Sequence, residues 1–483
     1  MQRSRPTLVP AATLASLAVL AAAALFVAGC SSANTAATPA STVTAVKTAV
    51  PITITDAPGD QIVAASLTLN SMVLTDASGQ TASLLSAPYT FEATHLDAVQ
   101  EPMFTPSIPE DTYVSVALTY SNAQVAYIDP TTKKVVQATG TLANSSQTIP
   151  FSTPIVIGNT TTSLLIDYLV ANSVSISGTT VTVTPAFYVA AVPIPSQPTN
   201  GTNGLQCGIQ GQVTALGTNS FTLTNASGTA LTIYVNASTQ YQGLSGFSAL
   251  AVGALVEVDT ATQSDGTLLA VRINEQGPPP SNGGTPLQML VGPVTAVTGS
   301  PATSFTEVVR QNIGGNSSTS PVVTDTIAIN SSTTFQLPGR FTTVSGGSQP
   351  FTPTFSAATL FAGQVVSVAT SAVASNAATA VSVSLSPQTV DGSIAKVASA
   401  SGAAGYTAYT VTLATDNWLA TLTGQSTVTV YTNGNVQAIN SNTLAAGDAA
   451  RFNGFLFNNN GSLVLLADVQ ASGPGSPIAG PPQ

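Results

Sequence analysis

The fold is decided by the stretch Gly211-Gln-Val-Thr-Ala-Leu216, which returns as Gly292-Pro-Val-Thr-Ala-Val297 and, more loosely, as Gly392-Ser-Ile-Ala-Lys-Val397. Later segments agree in the same order, for example Val235-Asn-Ala-Ser-Thr-Gln-Tyr241 with Ile329-Asn-Ser-Ser-Thr-Thr-Phe335. Agreement at several ordered positions is hard to obtain by chance, so it indicates three copies of one module.

Each copy also contains a Leu-x-x-Gly segment, which ends at Gly253, Gly363 and Gly447. A glycine before a strand fits the C-terminal cap of one helical turn, where a positive φ costs glycine nothing. Five or six short strands fit into each module, and such a meander hides its edges best by closing. The sequence therefore predicts three small OB-like β-barrels.

Ahead of the repeats, apolar residues alternate with Ser and Thr, as in Tyr113-Val-Ser-Val-Ala-Leu118 and Thr180-Val-Thr-Val-Thr184. This period of two is typical of strands, and no amphipathic helix of three turns is visible in the sequence. The predicted fold class is all-β, with one β-sandwich followed by the three barrels.

Two stretches carry a family resemblance. The turn Thr55-Asp-Ala-Pro58 and the segment Ile108-Pro-Glu-Asp-Thr-Tyr113 resemble an uncharacterised domain of bacterial lipoproteins, although Asp111 stands where that family usually has Gly. The resemblance implies a sandwich of immunoglobulin or transthyretin character and no activity. The repeats resemble a second uncharacterised family of bacterial small-barrel domains, which often follows the first.

The N-terminus has the layout of an export signal, with Arg3 and Arg5 before an apolar run that is shorter than the ~20 residues of a membrane span. The signal closes on Val27-Ala-Gly-Cys30, which resembles the lipobox of bacterial lipoproteins. That resemblance implies lipidation of Cys30, and Ser31 after it implies passage to the outer membrane, facing the periplasm or the surface. The alternative is an ordinary cleaved signal with a chance Cys.

Changes in composition divide the chain into segments. The expected order is a signal peptide (1–29), a tether (30–48), the sandwich (49–192), a linker (193–206), barrel module 1 (207–275), a linker (276–287), barrel module 2 with an insertion (288–387), barrel module 3 (388–471) and a disordered tail (472–483).

Composition excludes several classes of protein. Charged residues make up only 6% of the chain, and 20 acidic against 10 basic residues give a net charge of -10, which opposes nucleic-acid binding. With two cysteines, one of them in the lipobox, Cys207 is left without an intramolecular partner and its role stays open.

His95 is the only histidine, and its neighbours Glu92 and Asp97 suggest a base oriented by a carboxylate. We favour the alternative of a loop histidine beside solvated acids. A carboxylate pair for glycoside hydrolysis is also conceivable, and we instead interpret these acids as a polar connection between strands. The acids of that segment are Glu92, Asp97, Glu101, Glu110 and Asp111.

Asp56 and Asp60 flank a Pro-Gly turn and are candidate Ca²⁺ ligands, although the turn alone explains their spacing. Trp418 is the only Trp, and one Trp does not make a carbohydrate platform. We therefore expect no catalytic residues, no bound metal and no cofactor.

The expected function is that of a lipid-anchored envelope protein with a non-catalytic structural, adhesive or interaction role. Its partners would be the membrane, through the lipid on Cys30, and envelope proteins or glycans, with no nucleic acid. A glycan- or calcium-binding surface module is the alternative, and a hydrolase is the third hypothesis.

Overall fold

Strands make up most of the part of the chain that the structure describes, and the longest helix there, α2 (Trp418–Thr423), has six residues. The computed structural model describes residues 46–472 apart from residues 58, 98, 159–161, 195–204, 278–285, 316–321, 338–348, 401–402, 404, 435 and 440–442. No described helix is long and apolar enough to cross a membrane.

The sandwich contains the first fifteen strands. They are β1 (Lys47–Ala49), β2 (Ile52–Ala57), β3 (Ile62–Asp76), β4 (Thr81–Ser83), β5 (Tyr89–Glu92), β6 (Glu101–Phe104), β7 (Ser107–Pro109), β8 (Asp111–Ile128), β9 (Val135–Thr139), β10 (Thr141–Leu142), β11 (Ser146–Ile157), β12 (Thr162–Leu169), β13 (Val174–Ser177), β14 (Thr180–Val183) and β15 (Phe187–Pro193). A 3-10 turn (Thr94–Leu96) precedes β6, and α1 (Val170–Ser173) follows β12.

Two sheets face each other across the sandwich core. One has the order β11-β8-β3-β4, with β5 and β9 paired to β3 and β8, and the other has the order β15-β12-β2-β6. Both sheets send apolar side chains into one cluster, for example Leu67 and Val116 from the first sheet and Ile54 and Ile166 from the second. Alternation in the sequence therefore decides which face of each strand is buried.

Three barrels follow the sandwich. Barrel 1 contains β16 (Leu205–Leu216), β17 (Ser220–Thr224), β18 (Ala230–Tyr234), β19 (Gln240–Gln242), β20 (Leu255–Thr262) and β21 (Leu268–Gly277). Barrel 2 contains β22 (Gln288–Gly299), β23 (Ala302–Val309), β24 (Gln311–Ile313), β25 (Val323–Ala328), β26 (Thr334–Gln336), β27 (Val365–Ala374) and β28 (Ala377–Leu385). Barrel 3 contains β29 (Gln388–Ser399), β30 (Tyr406–Thr412), α2, β31 (Thr427–Asn433), β32 (Gln437–Ile439), β33 (Ala449–Asn459) and β34 (Ser462–Ser472).

Each barrel closes in the same way. Barrel 1 runs β18-β17-β16-β20-β21 and returns to β18, and barrels 2 and 3 repeat this order as β25-β23-β22-β27-β28 and β31-β30-β29-β33-β34. The closing pair is parallel in all three. Closure removes the sheet edges, as the sequence led us to expect. The predicted all-β fold, a sandwich followed by three small OB-like barrels, is confirmed.

Gly211, Gly292 and Gly392 lie in the first strand of each barrel, at a point where two strands approach each other closely. A Cβ added to Gly292 would stand 1.8 Å from the carbonyl oxygen of Val308, and one added to Gly392 would stand 2.2 Å from that of Thr412. At Gly211 the nearest atoms are those of Leu223, at 2.6 Å. The opening motif is therefore a packing requirement, because any side chain there would separate the paired strands.

The glycine of Leu-x-x-Gly has a positive φ in each barrel, with values of 89°, 109° and 97° at Gly253, Gly363 and Gly447. It does not cap a helix, however. In barrel 1 the 3-10 turn Phe247–Ala249 ends four residues earlier. Instead the Gly253 amide donates to the carbonyl of Val213 at 2.8 Å, and the same bond recurs in the other two barrels. The expected helix cap is wrong because this glycine anchors a turn to the first strand.

The described residues from Val46 onward form one compact unit. Val63 and Ala126 of the sandwich belong to the same buried cluster as Trp418 and Phe452 of barrel 3. The first predicted linker begins and ends in strand, because β15 runs to Pro193 and β16 starts at Leu205, and the second begins in strand because β21 runs to Gly277. Their central residues lie outside the described residues, as do the signal peptide, most of the tether and the tail.

Candidate functional site

The Glu92 carboxylate holds the 3-10 turn that leaves β5. Its Oε1 accepts hydrogen bonds from the amides of Ala65 (2.8 Å) and Thr94 (3.0 Å) and from the Thr94 hydroxyl (2.6 Å). Its Oε2 accepts the amide of His95 at 3.0 Å. Burial alone would raise the pKa of Glu92, but the hydrogen bonds and the charge of His95 outweigh it and lower that pKa.

His95 lies between two carboxylates. Its Nδ1 is 3.1 Å from Glu92 Oε2 and its Nε2 is 2.9 Å from Glu101 Oε2. Burial lowers the pKa of His95, but the hydrogen bonds to Glu101 and Glu92 raise it to about 9. The ring is therefore protonated at neutral pH. The interpretation as a loop histidine beside solvated acids is wrong, because the 3-10 turn folds all three groups into the interior.

Each barrel reaches this part of the sandwich with at least one polar side chain. From barrel 1, the Asn225 amide donates to Glu101. From barrel 2, Arg310 Nε donates to the carbonyl of Val63 at 2.7 Å. From barrel 3, Arg451 Nη1 lies 3.3 Å from Asp97 Oδ1. The sandwich and the three barrels therefore meet around the 3-10 turn and β6.

A cavity of about 470 Å³ lies at this convergence. Its wall is built mainly from polar residues of all four modules. They are Thr94, His95, Asp97 and Glu101 of the sandwich, Gln210, Gln240, Asp259 and Arg272 of barrel 1, Arg310, Gln311 and Ser386 of barrel 2 with its following segment, and Gln388, Thr389, Asn433, Asn453 and Asp468 of barrel 3. Exposed Gln240 and half-buried Asn433 stand where the wall meets solvent.

Several wall side chains are held by partners, either within one barrel or between two of them. Arg272 forms an ion pair with Asp259 inside barrel 1. Gln210 donates from Nε2 to the Ser367 hydroxyl of barrel 2 at 3.3 Å, and its buried Oε1 has no hydrogen-bond partner among the described residues. Arg310 also places its guanidinium carbon 5.8 Å from the centre of the Trp418 ring.

Beside the cavity, several carboxyl groups surround the fully buried Arg451. Burial raises the pKa of Asp97 to about 6 and that of Asp167 to about 7, although Arg451 lowers both. Desolvation, together with Asp97 and Asp60, raises the pKa of Asp391 to about 7. These acids therefore exchange protons close to neutral pH.

Residues 210–274 match the model of a family described as a domain of unknown function, DUF5666. The matched segment covers barrel 1 from Gln210 to Asn274, so it includes the wall residues Asp259 and Arg272. No curated protein matches the chain.

The acids of the 92–111 segment separate into two groups. Glu92, Asp97 and Glu101 are buried and come together, which corrects the interpretation of the segment as a solvated connection. Glu110 is half-buried and donates its amide to the carbonyl of Val46, and Asp111 is exposed.

The two candidate Ca²⁺ ligands point to different partners. Asp56 is buried and its Oδ1 accepts the amide of Val170 at 3.2 Å, whereas Asp60 accepts from the Asn417 side chain at 3.2 Å. Asp56 is therefore not a turn former, since its bond joins it to α1. Among the described residues, no group of three or more His, Cys, Asp or Glu side chains is placed to hold a metal ion.

The two cysteines remain outside the described side chains. Cys30 lies outside the described residues, and only the backbone of Cys207 is described, as part of β16. Arg272, Arg310 and Arg451 are among the site residues that were not predicted from the sequence, together with Gln210, Asp259 and Asn225. In a chain with 6% charged residues, an arginine inside an apolar strand was the available signal, because its burial demands a partner.

Proposed function

We propose that the protein is an exported, lipid-anchored binding protein that holds a small polar molecule in its central cavity without transforming it. The observation that carries the proposal is the 470 Å³ cavity, whose wall draws buried charged and amide side chains from all four modules. Sites for small molecules typically measure about 300–1,000 Å³ and have a few polar groups in fixed positions.

The way in which His95 and Glu92 are held supports a non-catalytic role. A general base must be able to accept a proton, and His95 carries protons on both nitrogens because two carboxylates hold it. Glu92 receives five hydrogen bonds, so its oxygens are committed to the turn. Groups held in this way can bind and orient a ligand, but they transfer protons to it poorly.

The cellular setting is part of the same proposal. The basic start, the apolar run and Val27-Ala-Gly-Cys30 support export followed by lipidation of Cys30. The shared strand order of the barrels supports their origin as three copies of one module, with DUF5666 describing the first copy. The repeats would then have been kept because together they form the cavity wall.

A thermal-shift screen tests the binding function. The mature chain without Cys30 is screened against neutral sugars, amino acids, short carboxylates and amines. We expect at least one compound to raise Tm, and Val99→Trp, which fills the cavity, to abolish the shift. Val252→Trp is the matched control, because Val252 is 53% exposed and lies outside the wall. Shifts that survive in Val99→Trp, or turnover of the compound, would contradict the proposal.

A further inference from the structure

The chemistry of the wall identifies the class of molecule that fits. We infer that the cavity takes a small neutral polyhydroxylated molecule, such as a mono- or disaccharide. The inference rests on the proposed binding function and adds the chemical class of the ligand. Charge balance, hydrogen-bond capacity and size support it separately.

Charge balance comes first, because each of these charged wall groups already has a counter-charge. His95 lies between Glu92 and Glu101, and Arg272 is paired with Asp259. Asp97 is bonded by Arg451 at 3.3 Å. An ionic ligand that pairs with one of these groups would have to displace its partner and leave that partner buried without a counter-charge, which is costly. A neutral ligand leaves every pair intact.

Hydrogen-bond capacity is the second support. Gln210 lines the cavity and its buried Oε1 has no partner among the described residues, so a rotation of the amide that turns Oε1 toward the cavity would let it accept a hydroxyl of the ligand. The carboxylates of Glu101 and Asp259 still have lone pairs beyond those used by His95 and Arg272, and they accept strong bonds from hydroxyl groups. A hydroxyl both donates and accepts, so it also satisfies the amide of Gln311.

An apolar ligand fits this wall poorly. It would remove water from Glu101 and Asp259 without replacing its hydrogen bonds. The described wall contains no Phe, Tyr or Trp, so binding would depend on hydrogen bonds rather than on ring stacking.

Size sets the third limit. With about 30 Å³ for each water molecule in the liquid, the cavity corresponds to roughly fifteen waters. That space suits one or two sugar rings, and a longer glycan would have to extend past Gln240 at the rim. The inferred ligand is therefore a short saccharide or a cyclic polyol rather than a polymer.

Calorimetric titration tests the class directly. The probes are glucose, galactose, mannose, inositol, maltose and lactose, with glucuronate and glucosamine as charged analogues of similar shape. We expect at least one neutral probe to bind, the charged analogues to bind at least tenfold more weakly, and Gln210→Leu to weaken the neutral probe at least tenfold. Gln263→Leu is the matched control, since Gln263 also lies in barrel 1 but outside the wall.

The outcomes separate the two levels of the proposal. Gln210-dependent binding of glucuronate or glucosamine in preference to neutral probes would leave the binding function standing and overturn the neutral class. Binding that Gln210→Leu does not change would place the ligand elsewhere and overturn the inference. If no probe binds and the wider thermal screen is empty, both fall. Gln311→Leu provides a second wall variant if Gln210→Leu does not fold.

Discussion

Nε2 of His95 lies 2.9 Å from Oε2 of Glu101, and the second oxygen of that carboxylate accepts a hydrogen bond from Asn225. The only histidine of the chain is therefore connected through one carboxylate to barrel 1, more than a hundred residues away in sequence. Through Glu92 it is also connected to the amide of Ala65 in β3. The site and the contact between modules are thus one network.

The network predicts how stability depends on pH. The pKa of His95 is raised to about 9, so its stabilisation is complete below about pH 6.5 and is lost as the pH rises through 9. A shift of that size corresponds to an upper value of about 3 kcal/mol. We expect urea unfolding to show lower stability at pH 9 than at pH 6, and His95→Gln to flatten that difference. An unchanged slope in His95→Gln would contradict the assignment.

The buried acids act in the same direction at lower pH. The raised pKa values of Asp97, Asp167 and Asp391 mean that the folded state keeps protons that the unfolded state releases above about pH 4. Stability should fall as the pH rises from about 4 to about 7. Glu92 opposes this below its ordinary pKa of 4.5, because its stabilisation is lost there. Unfolding curves at pH 4.5, 5.5 and 7 measure the balance, and a maximum near pH 5 is expected.

Arg451 should matter more than other cations of barrel 3. It is fully buried and bonds both Asp97 Oδ1 and the carbonyl of Asp56 at 3.3 Å. Removing one partner of a buried ion pair costs about 3–5 kcal/mol. Arg451→Met is therefore expected to lose about that much stability, whereas Lys396→Met, at an exposed position of the same barrel, should change little. Equal losses in chemical unfolding would contradict the role given to Arg451.

The glycine at the strand crossing should not tolerate a side chain. In Gly292→Ala the new Cβ would overlap the carbonyl oxygen of Val308, so the paired strands must separate. We expect a loss of several kcal/mol or failure to fold, in the range of the larger single-residue effects. Gly434→Ala is the control, because nothing lies within 4 Å of its Cβ position. Similar melting temperatures of the two variants would show that β22 and β23 adapt freely.

Lipidation at Cys30 stays a prediction from the sequence. If the lipobox resemblance is correct, Cys30→Ala should move the protein from the membrane fraction to the soluble fraction, because the acyl chains supply the anchor. Fractionation at high salt followed by immunoblotting measures the change. Retention of the variant in the membrane fraction would show that another contact holds the protein there.

The sequence predicted the barrels because their information is local and repeated. Alternation specifies which faces of the strands are buried, and the glycines of 211, 292 and 392 mark crossings that admit no side chain. The cavity could not be predicted in this way. Its wall joins Glu101, Gln210, Arg310 and Asn453, which come together only when four modules pack. No periodicity within one module carries that information.

The burial of charged residues could not be predicted from the sequence either. In the sequence, His95 and its acidic neighbours look like a solvated loop, since polar runs between strands usually are. The structure buries them because Leu96, inside the 3-10 turn, enters the sandwich core and draws the flanking residues with it. Sparse charge suggested a protein that acts by surface contact. Three of the few arginines are in fact held in the interior or at the cavity wall: Arg272 and Arg451 pair with Asp259 and Asp97, and Arg310 donates to the carbonyl of Val63.

The most direct test of the binding function is a crystal structure of the mature chain soaked with the compound that gives the largest thermal shift. We predict density for that compound inside the cavity, within hydrogen-bond distance of Gln210 Oε1 and of the Glu101 carboxylate, with His95 still between Glu92 and Glu101. Density for the compound only on the outer surface, with ordered water alone in the cavity, would contradict the proposed function.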